Sequence, residues 1–160
     1  MTTAHDFELA AIDGAKLPLA GFAGRPVLLV NVASACGFTP QYAELQQLHE
    51  TWGPRGLVVL GVPANDFGAQ EPGSEAEIRR FCETRFGVTF PMAAKQVVVG
   101  PGAHPLYRWI AAEAGEGGAP RWNFHKYLIG KDGSLKGAWP SRVRPLGDEI
   151  TQAVAAELAP

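Results

Sequence analysis

Residues 26–64 read PVLLVNVASACGFTPQYAELQQLHETWGPRGLVVLGVPA, and the order of patterns within this stretch decides the fold. Pro26 opens a continuous, β-branched and apolar run at 27–33, as expected for a strand buried on both faces. Residues 34–38 follow as a loop. Thr39-Pro40 then marks a helix start, with Thr39 as the cap and Pro40 at the first helical position. Tyr42, Leu45, Leu48 and Trp52 recur at helical spacing, and Gly53 is the expected stop. Residues 57–64 form a second buried strand. Strand, helix and strand in this order make a right-handed parallel unit.

Working outward, residues 7–12 and 16–19 flank Asp13-Gly14, a turn signal that predicts an N-terminal hairpin. Downstream, Ser74 and Glu77 read as a capping box. The helix they open carries Ile78, Phe81, Cys82 and Phe86 and meets Gly87. A short strand near Phe90, a helix over 105–114 and a Gly-rich loop come next. A second hairpin pairs 127–130 with 135–139 across Asp132-Gly133, and a last helix shows Leu146, Ile150, Val154 and Leu158 at a spacing of four. This order predicts an α/β, thioredoxin-like fold: a central mixed sheet flanked by helices, with an N-terminal β-hairpin. No repeat, linker or composition shift divides the chain, so residues 1–160 read as one domain.

The 160 residues are 46% hydrophobic and 19% charged, a globular composition. A net charge of −2 without long runs of one sign gives no electrostatic case for nucleic acid or an anionic membrane. No stretch approaches the ~20 apolar residues of a membrane span, so no stable membrane insertion is expected. Residues 1–13 hold acids and no apolar core flanked by basic residues, so no signal peptide is expected and a cytoplasmic location is the default. Two cysteines, Cys36 and Cys82, are too few for a stapled secreted scaffold.

Cys36 follows a buried strand and precedes the helix cap by three residues, at the C-terminal edge of the sheet where α/β folds place their sites. That position exposes the side chain beside a helix N-terminus, whose N–H groups and dipole favour a thiolate, the reactive form. Gly37 leaves room for a small substrate. Free cysteine is nonetheless among the most buried residue types, so position leaves core and site both open. His5, His49, His104 and His125 are scattered among different elements and read as surface residues; no cluster has metal-ligand spacing.

Three separated blocks carry a resemblance. Residues 31–39 (NVASACGFT) resemble the signature around the catalytic cysteine or selenocysteine of glutathione peroxidases; residues 63–72 (PANDFGAQEP) resemble that family's second signature and residues 122–128 (WNFHKYL) its third. They occur in the family's order and spacing. The resemblance implies a peroxidase site in which Cys36 is the nucleophile, with Gln70, Trp122 and Asn123 around its sulfur. Two amides and an indole N–H would supply neutral donors to a thiolate and to peroxide oxygens without a competing base. Two positions depart from the pattern. Asp66 stands where glutamine is usual and is expected to face solvent, and Ala64 stands where many members have another cysteine.

By the same resemblance, Cys36 attacks a hydrogen peroxide or organic hydroperoxide O–O bond and becomes a sulfenic acid. Cys82 falls on the position of the family's resolving cysteine, and recycling by thioredoxin, rather than glutathione, is implied. The chain also lacks the segment that builds subunit contacts in tetrameric animal enzymes, which implies a monomer. No bound cofactor is expected beyond that external thiol reductant. Cys82 also lies on the apolar stripe of its helix, where a small core residue is expected, and a disulfide would need its Cα within ~7 Å of Cys36. A peroxide sensor relaying its oxidation to a partner protein would use the same residues.

Overall fold

A computed structural model describes residues 1–115 and 118–159. The Gly-rich loop expected after the 105–114 helix lies partly outside them.

The main sheet has four strands in the order β4-β3-β5-β6: β3 (Val27–Val32), β4 (Val58–Pro63), β5 (Lys126–Ile129) and β6 (Leu135–Trp139). β3 runs parallel to β4 and antiparallel to β5, and β5 pairs antiparallel with β6, so the sheet is mixed as expected. Every residue of β3, β4 and β5 is buried. The alternation of side chains explains why their sequences are unbroken apolar runs rather than alternating ones. Leu28, Val30, Val32, Val59 and Leu128 face one core with Tyr42, Leu45 and Leu48 of α1 (Gln41–Trp52), Ile78 and Cys82 of α2 (Glu75–Phe86), and Ile150 and Val154 of α4 (Asp148–Leu158). Val27, Leu29, Leu60, Val62, Tyr127 and Ile129 face the other, against Leu106, Tyr107 and Ile110 of α3 (Pro105–Ala114). At about 1.5–3 kcal/mol for each fully buried aliphatic side chain, both faces of the central strands stabilise the sheet.

The N-terminal hairpin is present as β1 (Glu8–Ala10) and β2 (Lys16–Pro18), a separate two-stranded sheet. The strand expected near Phe90 is reduced to two isolated bridges, Gly61 with Met92 and Ala11 with Ala93, which tie the hairpin to the edge of β4. Pro91 has no N–H to extend a ladder there.

Three boundaries differ from expectation. Pro40, not Thr39, is the N-cap of α1, and the Thr39 hydroxyl turns back to accept from Cys36 N at 2.9 Å and donate to Ala33 O at 2.8 Å. Gly53 stays right-handed and the chain continues through a 3₁₀ turn, Gly53–Arg55, stopping at Gly56 with φ 118°. The last helix begins after Gly147, so Leu146 precedes it. The capping box at Ser74 and Glu77 is present, and Gly87 closes α2 in the left-handed conformation.

Candidate active site

β3 delivers the chain to residues 34–38, and side-chain and backbone clasps shape that loop. Glu71, 1% exposed, accepts from Ser34 N at 3.2 Å through Oε1, and Gln70 O accepts from Ala35 N at 3.1 Å. Burial raises the Glu71 carboxyl above the usual range, opposed by its hydrogen bonds from Ser34. With the Thr39 hydroxyl holding Cys36 N, three successive residues of the loop are fixed. Cys36 itself is 8% exposed, less open than its position predicts, between exposed Ala35 and Gly37. Its Sγ accepts from Phe38 N at 3.3 Å. A loop amide just ahead of α1 therefore points at the sulfur, where the sequence suggested the helix end itself.

Asn123 Nδ2 donates to Gln70 Oε1 at 2.9 Å and approaches Phe67 O at 3.4 Å. The Trp122 ring, 37% exposed, tilts against Phe67 at 5.8 Å and covers Gly68, where a Cβ would lie 3.1 Å from it. Gln70, Trp122 and Asn123 thus form one cluster joined to the Cys36 loop through the Gln70 carbonyl. The Asn123 amide bonds to Gln70 and to backbone while the Trp122 ring packs on Phe67, and the hydrogen bond at sulfur comes from Phe38 N instead. The amide pair is framed by two non-glycine residues in the left-handed region, Ala69 at φ 50° and Phe124 at φ 64°. Phe124 is held there by its N–H on Asn31 O and by the edge of its ring against Tyr42 at 5.4 Å.

Asp66 is half-buried rather than turned fully to solvent. Its Oδ2 accepts from Val98 N and Val99 N at 3.2 and 3.3 Å, and burial, then Tyr127 and the Asp66 charge, raise the Tyr107 phenol on the α3 side of the sheet. Of the four histidines expected at the surface, His5, His49 and His104 are half-buried and His125 is buried. His125 is 4% exposed, and burial, with Arg121 and Lys126 nearby, pushes it down to about 4. His104 caps α3, its Nδ1 accepting from Leu106 N at 3.1 Å. Among the described residues no group of three or more His, Cys, Asp or Glu is arranged to hold a metal ion.

Cys82 is a free thiol, as is Cys36, but lies in the core at 1% exposure. Burial pushes its thiol up to about 11, the Tyr42 hydroxyl lowering it and the charges of Glu71 and Glu83 adding to the rise. At pH 7 such a group is thiolate in only about one molecule in ten thousand. Brief iodoacetamide treatment of the reduced, native protein at pH 7 should therefore label Cys36 and spare Cys82, read by peptide mass. Equal labelling would show that α2 opens freely.

Sequence reasoning missed the supporting residues Glu71, Ser141 and Lys126, and the amide of Phe38. Only Asn31 carried a signal, as a polar residue inside a buried strand. Its Nδ2 donates to Trp122 O at 3.0 Å.

A thiol at the C-terminal end of a central parallel strand, on a mixed sheet with helices on both faces, is the arrangement of the thioredoxin-like thiol proteins. The fold alone is shared with a thioredoxin-family thiol:disulfide interchange protein from Chlorobium tepidum, at 19% identity and TM-score 0.72, over 99% of this chain and 97% of that one. The chain belongs to the glutathione peroxidase family, which matches residues 4–111. That match includes Cys36, Gln70 and Cys82 and ends before Trp122. A hydroperoxy fatty acid reductase of Synechocystis is 47% identical over 156 residues, 92% of this chain and 91% of the relative. A thioredoxin/glutathione peroxidase of Escherichia coli is 39% identical over 170 residues, 92% and 93% of the two chains. The solved structure of Trgpx in apo form superposes with TM-score 0.79 at 34% identity, over 99% of this chain and 97% of that one.

Proposed function

We infer that the chain is a thiol peroxidase that reduces hydrogen peroxide and organic hydroperoxides, with Cys36 as the attacking thiol. The observation that carries this is the placement of Cys36: its sulfur under the Phe38 N–H, its loop clasped to the segment that bears the Gln70–Asn123 amide pair. Sulfur attacks one peroxide oxygen, the O–O bond breaks, and the other oxygen leaves with a proton as water or alcohol, giving Cys36 sulfenic acid. The Gln70 amide, oriented by Asn123, and the indole N–H of Trp122 are the donors at hand for the peroxide oxygens, and the exposed Trp122 ring offers an apolar rim to organic hydroperoxides.

Cys82 then displaces the sulfenic oxygen as water, forming a disulfide, and an external dithiol reduces it by exchange. The hydroperoxy fatty acid reductase of Synechocystis supports a hydroperoxide substrate, and the thioredoxin/glutathione peroxidase of Escherichia coli supports a thiol reductant of either kind. The cycle runs in a cytoplasmic monomer with no resident cofactor. No helix of the described residues is long and apolar enough to cross a membrane. NADPH-coupled peroxide consumption tests the reading: turnover with thioredoxin and its reductase should exceed turnover with glutathione and its reductase by about tenfold or more, as expected when exchange is with a protein disulfide. No consumption with either would overturn it.

A further inference from the structure

Lys126 is fully buried on β5, a rare state for lysine without an acid partner, and among the described residues no carboxylate forms an ion pair with it. Paired with Val30 on one side and Trp139 on the other, it shares the face of Leu128, toward α1 and α4. There Nζ donates to the carbonyls of Ser141 at 2.9 Å and Val143 at 2.5 Å. Gln41 Nε2, from the first turn of α1, reaches the same Ser141 carbonyl at 2.8 Å. Burial pushes the Lys126 ammonium down to about 7, opposed by Glu44, which is itself engaged by Arg144 and Leu146 N.

What this anchor holds is the floor of the site. The Ser141 hydroxyl donates to Asn123 O at 2.5 Å, and Asn31 holds the Trp122 carbonyl and the Phe124 N–H. The backbone of residues 122–124 is thus pinned from β3 on one side and from Ser141 on the other. The second pin ends on a buried lysine, whose desolvation is costly. Its hydrogen bonds to the Ser141 and Val143 carbonyls offset that cost only in part, so stability alone does not account for a lysine here.

We propose that Lys126 is a positioning residue of the peroxide site: with Gln41 it fixes Ser141, whose hydroxyl sets the backbone of Asn123 and so the amide pair with Gln70. Lys126 acts through these residues and touches no substrate. The inference rests on the reading of Cys36 as the peroxidatic thiol.

The test is stopped-flow oxidation of Cys36 by hydrogen peroxide in the full chain, for wild type, Lys126→Met, Ser141→Ala and the double variant. Thermal midpoints and iodoacetamide alkylation of Cys36 are measured alongside. Lys126→Met should slow oxidation about tenfold, the size of effect small misplacements produce. Its midpoint should fall only modestly, because the Ser141 and Val143 carbonyls lose a donor, and alkylation, which needs the thiol but not the peroxide-holding amides, should change less than about threefold. Ser141→Ala should slow oxidation comparably, and the double variant no more than the worse single one. Wild-type oxidation by Lys126→Met, or losses that multiply in the double variant, would overturn the inference. If Lys126→Met does not fold, a wild-type rate in Ser141→Ala overturns it. A wild-type protein whose Cys36 resists peroxide would instead bring down the peroxidase reading, and this inference with it.

Discussion

Cys36→Ser is expected to abolish peroxide reduction, lowering kcat/KM by on the order of a thousandfold or more, as removal of a nucleophile does elsewhere. The reaction needs an ionised, polarisable atom at the peroxide oxygen, and a serine hydroxyl is not ionised near neutral pH. The substitution should leave the fold intact. The side chain sits at the edge of the core, and the loop's own bonds, from Thr39, Glu71 and Gln70, do not pass through sulfur except for the Phe38 N–H. The measurement is the coupled assay together with a thermal midpoint. Activity retained with an intact fold would move the chemistry to Cys82.

Cys82→Ser is expected to lower thioredoxin-supported turnover by about a hundredfold while one equivalent of peroxide per chain is still consumed in a first burst. The thiol is buried and protonated in this state, so it reacts only when α2 opens. Its fully buried positions are Ile78 and Cys82, half-buried Phe81 and Phe86 add ring contacts to Tyr42 at 6.4 and 5.4 Å, and Glu75 at its start accepts from Lys95 N at 3.1 Å. Opening must separate these contacts, so it is a local unfolding step that turnover has to include. Exposure also relieves the desolvation that holds the thiol up to about 11, so opening and activation are one event. Serine leaves a hydroxyl in the core at a cost of about 1–3 kcal/mol, so Cys82→Ala is the companion variant. Full turnover in both would make Cys82 a core residue and leave the reductant to resolve Cys36 directly.

The parts of the fold legible in the sequence were those set by local pattern. The runs at 27–33 and 57–64, the two Asp-Gly turns and the Ser74 capping box each carry their own chemistry within a few residues. Thr39 and Gly53 misled because both residues fit a helix end while a tertiary demand overrode it: the Cys36 turn needed the Thr39 hydroxyl, and a 3₁₀ extension carried the chain to Gly56. Asp66 was misplaced because its partners, the amides of Val98 and Val99, lie more than thirty residues on. The candidate site followed the same division. Cys36 and Gln70 announced themselves by motif, whereas the bond from Phe38 N to sulfur is a matter of loop conformation. The support under Asn123 joins Gln41, Lys126 and Ser141 across a hundred residues, which no local pattern records.

The left-handed backbone at Ala69 has a consequence for anyone improving this protein in the laboratory. An alanine at φ 50° costs about 1 kcal/mol relative to glycine, and a screen that rewards heat resistance would favour its replacement. The gain in midpoint would come with a loop free to wander next to Gln70, and the screen would not see the loss. A thermostable library of this chain is best selected on peroxide survival, so that a position resembling a defect is kept.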